Sequence, residues 1–219
     1  MKNKKEKGST TLTLIKEAAA LFLITLFSGL ALSYIYEITK EPIAEQQIIK
    51  SEKANQAVFP EAVSFIEAEE LMQLVKDTDL TSLNADYEGV TIDSISKALD
   101  QSNQTIGYNI TVTTTTGYKD PITIVIGYSK DGVVKGIEIT AINETAGLGM
   151  VAKEPKFLGQ YISKSVSQFK LTKTGASSED QIDAISGATI TSRAVTNAIN
   201  TGIGFLGQFA TELGGGQNE

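Results

Sequence analysis

Residues Ser186-Gly187-Ala188-Thr189-Ile190-Thr191 place three hydroxyls and a glycine in six consecutive positions. They lie directly before a stretch whose apolar spacing predicts a helix over 191–206. Ser186 or Thr189 can cap that helix by accepting hydrogen bonds from its first free N–H groups, while Gly187 relieves a tight turn. The same N–H groups, at the positive end of the helix dipole, also suit a phosphate. A hydroxyl at that place, Thr191, could be esterified to the phosphate that the helix end stabilises. The two roles are compatible, with Thr189 shaping the turn and Thr191 holding a ligand. A second segment, Asn143–Met150 (NETAGLGM), follows a predicted strand. Glu144 and Thr145 offer an acceptor and a hydroxyl there, and Gly147 and Gly149, on either side of Leu148, let the backbone come close to a flat ligand. The plain alternative is a glycine-rich connection between strand and helix. Neither the Walker pattern nor the dinucleotide G-x-G-x-x-G pattern is present.

Composition narrows what these segments can do. The chain has 219 residues with no His and no Cys. That excludes His/Cys zinc sites, thiolate iron–sulfur ligands, Cys or His nucleophile systems and disulfides. Hydroxyls, carboxylates, lysines, backbone groups or a borrowed cofactor remain, and no catalytic residue or metal site is assigned. The four threonines at 113–116 read as strand residues rather than as a reactive cluster.

These segments need a scaffold, and the scaffold starts at a membrane. Ala18–Tyr36 is a run without a charged residue; as a helix it is about 28 Å long, close to the apolar thickness of a bilayer. A signal peptide is the rival reading, because a basic head precedes the run and small residues occur near its end, but the run exceeds the usual h-region. Residues 1–17 hold five Lys and two Glu, a net charge of +3, which leaves −10 of the total −7 for the rest of the chain. The basic flank is therefore expected in the cytoplasm and the acidic bulk across the membrane. An acidic body also argues against nucleic-acid binding.

Five segments follow from this reading: a basic cytoplasmic N-terminus (1–17), a transmembrane helix (18–36), a membrane-proximal helical and acidic region (37–104), a ligand-binding domain (105–206) and a flexible tail (207–219). Pro42 is expected to end or interrupt any helix leaving the membrane. Residues 43–58 read as an amphipathic helix, and 68–76 as another, followed by short strands or loops. Residues 106–116, 121–128 and 133–142 read as strands, the last two joined by a turn at Asp131-Gly132. They predict a twisted antiparallel sheet with one buried face. Helices over 154–168 and 191–206 are expected to cover it, with Gly202 and Gly204 weakening the second. The fold class is α+β.

Taken together, the two segments resemble the FMN-binding domain of the G subunit of the Rnf-type ion-translocating electron transport complex, a relative of the C subunit of the sodium-translocating NADH:quinone reductase. The resemblance covers the anchor and roughly 107–205. Ser186–Thr191 is similar to the family's S/T-G-A-T-x-T signature, Asp183 falls on its preceding acidic position, and Glu144–Gly149 is similar to E-T-P-G-L-G with Ala146 in place of Pro. Glu154-Pro155-Lys156-Phe157 resembles the family's EPKF stretch. The resemblance implies a covalent flavin: FMN on Thr191 through a phosphoester placed by a flavin transferase, with Ser186, Gly187, Ala188, Thr189, Glu144, Thr145, Gly147, Leu148 and Gly149 around it. It further implies a redox subunit of a translocase, a flavoprotein and phosphoprotein of electron and ion transport. Its partners would be the other subunits of the complex, which carry the reactions with ferredoxin and NAD and the ion conduction. The alternatives are a component like the C subunit of the quinone reductase, an extracytoplasmic flavin reductase, or a non-enzymatic membrane-anchored scaffold.

Overall fold

The computed structural model describes residues 3–214, and the chain divides into two compact units, Met1–Ile49 and Lys50–Glu219. Helix α1 runs Asn3–Val58. Its apolar window has a mean hydropathy of 2.0 and none of it is buried. Among the described residues it is the one helix long and apolar enough to cross a membrane, and Leu21, Phe22, Phe27 and Leu32 along it are exposed. These are the features of a single membrane span. Met1 and Lys2 of the basic flank lie outside the described residues. Contrary to expectation, Pro42 lies inside α1 and does not end it. A proline there removes one helical hydrogen bond and costs about 3 kcal/mol. Ile38, whose carbonyl it leaves unpaired, is exposed, so water can satisfy that carbonyl.

The second unit begins at Lys50. In chain order it contains β1 (Ser64–Glu67), α2 (Glu69–Asp77), α3 (Leu80–Leu83), β2 (Val90–Leu99), β3 (Thr105–Thr114), β4 (Ile122–Ser129) and β5 (Val134–Ala141). There follow α4 (Pro155–Leu158), β6 (Lys170–Thr172), β7 (Gln181–Asp183) and α5 (Thr189–Gly214). Strands β1 to β5 form one antiparallel meander in sequence order, and β6 pairs with β7 in parallel. The predicted strands at 106–116, 121–128 and 133–142 are β3, β4 and β5. The predicted turn is present, with Gly132 at φ +78°. Of the four threonines, Thr113 and Thr114 are in β3, whereas Thr115 and Thr116 lie in the turn beyond it.

Side chains alternate across the sheet, and both faces are covered rather than one. On the first face Ile110, Val112, Ile124 and Ile126 are fully buried in one cluster with Ala198, Ile199, Ile203 and Leu206 of α5. On the second face the cross-strand row Asn109, Gly127 and Gly136 lies under the last turn of α1. A Cβ at Gly127 would collide with the Val58 carbonyl oxygen, and one at Gly136 would sit 2.7 Å from Val58 Cα. The missing side chains let the helix backbone rest on the sheet itself. Asn109 Nδ2 fixes it by donating to the Asn55 backbone oxygen (3.1 Å).

The expected helix over 154–168 stops at Leu158. Residues 163 and 164 instead pair with the start of β5, with Ser163 N–H donating to Val134 O (2.8 Å) and Val134 N–H to Lys164 O (3.0 Å). Two new main-chain bonds there outweigh continuing the helix. The expected tail also differs: α5 continues to Gly214. Phe209 packs on the core beside Phe205, ring centroids 4.8 Å apart, so the residues after 206 have apolar surface to bury. Residues 215–219 of the expected tail lie outside the described residues.

Candidate functional site

Helix α5 is held at its amino end by contacts that set the position of every hydroxyl on its first turns. Tyr161 is fully buried between Phe157 and Phe169, edge-on to both. Its hydroxyl hydrogen-bonds the Thr196 hydroxyl at 2.8 Å, and burial pushes the phenol far above its ordinary range. One turn on, Asn200 brackets the Phe169 backbone, accepting from its N–H (2.8 Å) and donating to its carbonyl (2.9 Å). Upstream, Gln160 does the same for Asp183, accepting from its N–H at 2.7 Å and donating to its carbonyl at 3.4 Å. The β7 strand is thereby fixed just before the loop that enters α5.

That loop is closed by Ser192, not by Thr189 or Ser186. Ser192 Oγ accepts from Ile185 N–H (3.0 Å) and donates to Ala188 O (2.9 Å). Gly187, at φ +76°, takes the left-handed conformation the turn requires. The first helical bond runs from Ser192 N–H to Ala188 O (2.9 Å), so the N–H groups of Thr189, Ile190 and Thr191 are the free donors of the helix start. Ser192 closes the turn without accepting from these N–H groups, so the cap expected of Ser186 or Thr189 is not supplied by it.

The strand-end loop meets this turn. Glu144 is only 5% exposed, and its Oε1 accepts from Tyr118 N–H at 2.7 Å, tying the β3–β4 turn to the segment after β5. Gly149 sits between Glu144 and Thr191: a Cβ there would lie 2.8 Å from Glu144 Oε2 and 2.9 Å from Thr191 Oγ1. Any larger residue would push the two segments apart.

Together they enclose a cavity of about 530 Å³, lined by Tyr118, Glu144, Thr145, Leu148, Gly149, Gly187, Ala188, Thr189, Ile190 and Thr191. The volume lies within the ~300–1,000 Å³ typical of small-molecule sites. Of the residues singled out from sequence, Ser186 and Gly147 do not line it, although both belong to the segments that do. Asp183 is exposed and is also absent from the lining. Sequence reasoning missed Tyr118, Ile190 and Ser192. Tyr118 is 64% exposed and Ile190 52%; only Gly117, marking a turn between strands, hints at the first.

Thr191 is 2% exposed yet borders the cavity. Three other hydroxyls of this helix are committed, Ser192 to Ala188 O, Thr196 to Ser192 O (2.8 Å) and Thr201 to Asn197 O (2.8 Å), whereas Thr189 also lines the cavity but is less buried than Thr191. Among the described residues no protein group hydrogen-bonds the Thr191 hydroxyl. Its oxygen opens onto the cavity rather than into the core, so a group entering the cavity can hydrogen-bond it. The site thus offers the hydroxyls of Thr145, Thr189 and Thr191, of which Thr191 is the most buried, three helix-start N–H donors, one carboxylate and an apolar rim of Tyr118, Leu148 and Ile190.

Comparison with known proteins agrees with this composition. The family described as FMN-binding domain matches residues 117–204. The G subunit of the Na(+)-translocating ferredoxin:NAD(+) oxidoreductase complex of Acetobacterium woodii is 31% identical over 186 residues, covering 84% of this chain and 86% of that protein. The G subunit of the ion-translocating oxidoreductase complex of Methanosarcina acetivorans is 27% identical, covering 87% of this chain and 93% of that protein. The G subunit of the proton-translocating ferredoxin:NAD(+) oxidoreductase complex of Clostridium ljungdahlii is 29% identical, with 82% and 85% covered. Among solved structures, NqrC of Shewanella oneidensis matches 55% of this chain and 60% of that chain at 21% identity and a TM-score of 0.47. The C subunit of the Na(+)-translocating NADH-quinone reductase of Parabacteroides distasonis matches 59% and 68% at 22% identity and a TM-score of 0.40.

Proposed function

The chain belongs to the family of Rnf-type G subunits and Nqr-type C subunits and is an FMN-binding subunit of an ion-translocating electron-transport complex; on that premise we propose that it holds FMN covalently, through a phosphoester on Thr191. FMN supplies one-electron and two-electron redox chemistry that no side chain of this protein has. The residues present fit it. Thr191 offers the hydroxyl, and the N–H groups of Thr189, Ile190 and Thr191 complement a phosphate charge at the helix start. Tyr118, Leu148 and Ile190 give a flat ring an apolar surface and limit water around it, while Thr145 contributes a hydroxyl at the rim. Ser186, Gly187 and Ala188 shape the turn that brings the phosphate-binding donors together. Glu144 holds two walls of the cavity in register.

The observation that carries this reading is the Thr191 hydroxyl, buried at the cavity and unused by the protein. Thr191→Val keeps the bulk and removes the oxygen. Coexpressed with a flavin transferase, the unmodified protein is expected to gain an FMN-sized mass on the peptide containing residue 191, and the variant none. Attachment at Thr189, or retained in Thr191→Val, would sink the assignment.

The loaded chain is a redox carrier rather than a complete enzyme. It passes electrons to and from partner subunits of a ferredoxin:NAD oxidoreductase, and its single span lacks the charged groups of an ion pathway. The relatives that cover most of this chain are G subunits of ion-translocating complexes, which favours this assembly over the quinone reductase. The FMN-bearing unit lies outside the cytoplasm, supported by +3 before the apolar run and −10 after it. Protease added to right-side-out vesicles is expected to digest it; digestion only in inverted vesicles would reverse the orientation.

A further inference from the structure

We propose that the flank of α5 turned away from Thr191 is a docking site for an extended acidic segment of a partner subunit. The proposal rests on the chain's membership in a multisubunit complex and not on which hydroxyl carries the flavin. A second cavity of about 310 Å³ lies on this flank and shares only Thr189 with the first. Its α5 wall is Thr189, Arg193, Thr196, Asn197 and Asn200, whose spacing puts them on one side of the helix, with Thr191 on roughly the opposite side. Leu171 of β6 and Lys173, just past its end, line the cavity as well. The floor is already rigid, because Thr196 is tied to Tyr161 and Asn200 brackets the Phe169 backbone. A preset site loses little freedom when it binds.

Charge and main-chain geometry together select the occupant. Arg193 is the only arginine of the chain, and among the described residues neither it nor Lys173 has an ion-pair partner. Lys170 is neutralised by Asp180 (3.0 Å), and Asp86 is the one carboxylate in the lining. The cavity is therefore positive in a body of net charge −10, and it calls for an anion. Strand residues send their main-chain groups alternately to the two edges. Phe169 N–H goes to Asn200 and Lys170 N–H to Asp180 O (2.7 Å), toward β7, so the groups of Leu171 leave on the Asn200 side. Among the described residues β6 has no strand neighbour there. A free inorganic anion would accept from the Leu171 N–H but set oxygen against oxygen at its C=O. A peptide main chain satisfies both, as in strand addition to an exposed edge. A carboxylate on that segment then meets the Arg193 fork and the Lys173 ammonium. Through Thr189, the docked subunit lies beside the first cavity, where a redox carrier needs its partner.

Cross-linking in membranes that hold the assembled complex tests this. A water-soluble carbodiimide joins an amine to a carboxylate only where the two already touch, and Lys173 supplies the amine. Its peptide, read by mass spectrometry, is expected to be joined to an Asp or Glu of another subunit. Arg193→Gln should lower that product about tenfold, whereas Arg193→Lys, which keeps the charge, should retain most of it. If thermal unfolding shows that Arg193→Gln does not fold, Asn197→Asp replaces it: a carboxylate set into the cavity repels the segment and should lower the product in the same way. Lys173 left unlinked, or joined only to Asp86, Asp180 or another carboxylate of its own chain, overturns the proposal. A product with a second copy of this chain overturns the assignment to a partner subunit. An unlinked Lys173 whose acylation is suppressed by inorganic phosphate gives the cavity to a small anion instead. An undiminished product in the folded cavity variant overturns the role of the cavity charge. None of these outcomes touches the flavin assignment, which is read separately from the mass on the peptide containing residue 191.

Discussion

The two faces of the five-stranded sheet are closed in different ways. On the α5 face, isoleucines and valines of β3 and β4 fill the space beneath a helix, and the helix carries Thr191 at its first turn. On the other face Gly127 and Gly136 let the Val58 backbone touch the strands, Val125 packs against Ala54 and Val58 beside them, and the Asn109 amide donating to Asn55 fixes the helix end. Volume filling tolerates small adjustments, because neighbouring side chains can repack. Backbone laid on backbone tolerates almost none. The first face therefore positions the site, and the second anchors the end of α1 to the sheet.

Deleting volume on the α5 face should have the largest effect. Ile126 is fully buried, and its Cδ1 approaches the space a Cβ on Gly202 would occupy at 2.9 Å. Ile126→Ala is expected to cost ~2–5 kcal/mol in urea unfolding. It should also slow FMN incorporation, since α5 loses support beneath its middle. A large stability loss with an unchanged incorporation rate would separate the first face from the site.

Adding volume on the second face should cost less and spare the site. A glycine in a strand interior is ordinarily ~0.5–1 kcal/mol worse than alanine, so Gly136→Ala would stabilise an open strand. Here the new methyl meets the Val58 backbone at 2.7 Å, and overpacking of this kind costs ~1–3 kcal/mol. We expect net destabilisation and unaltered covalent FMN, because Gly136 does not line the cavity. A stabilised Gly136→Ala protein would mean that α1 does not close this face.

The same contrast explains what could be read from the sequence. Strands β3 and β4 carry isoleucine and valine at alternate positions, and the Asp131-Gly132 turn announces the hairpin into β5, whose own pairing slips between Val134 and Gly136. Strand β2 was hidden by an irregularity: Val90 and Ile92 keep one phase, the pairing slips between Ile92 and Ser94, and Ile95 resumes in the other. Gly202 looked like a defect in α5 but is where the helix meets Ile126, Ile110 and Val112. The covered second face has no local signature at all, because Gly127 and Gly136 become neighbours only after β4 and β5 pair. In the site, both segments were legible as chemistry. Their meeting through Gly149, the part played by Tyr118 and the closure by Ser192 depend on contacts between distant stretches, which no single window contains.

The smallest expected effect concerns the two ion pairs that flank these faces. Glu70 of α2 pairs with Lys97 of β2 on the α5 side, and Glu61 pairs with Lys135 of β5 (2.8 Å) on the other. The Glu70 carboxyl is held below its ordinary value, first by the hydrogen bond from Lys97. A depressed carboxyl stabilises the fold above its unfolded value, near 4.3, and loses that contribution as pH falls through the folded value. Both side chains are about a third exposed or more, so solvent screening limits the pair to roughly 0–1 kcal/mol. Glu70→Gln should accordingly lower stability slightly at pH 7, and the difference from the unmodified protein should vanish as the medium is acidified below the carboxylate range. Added salt at pH 7 should shrink it in the same way. A difference that persists undiminished in acid would assign it to the packing of α2, through Leu71 and Ala68 against Ile95, rather than to charge. The α5 face would then be held at its β2 end by apolar contact alone.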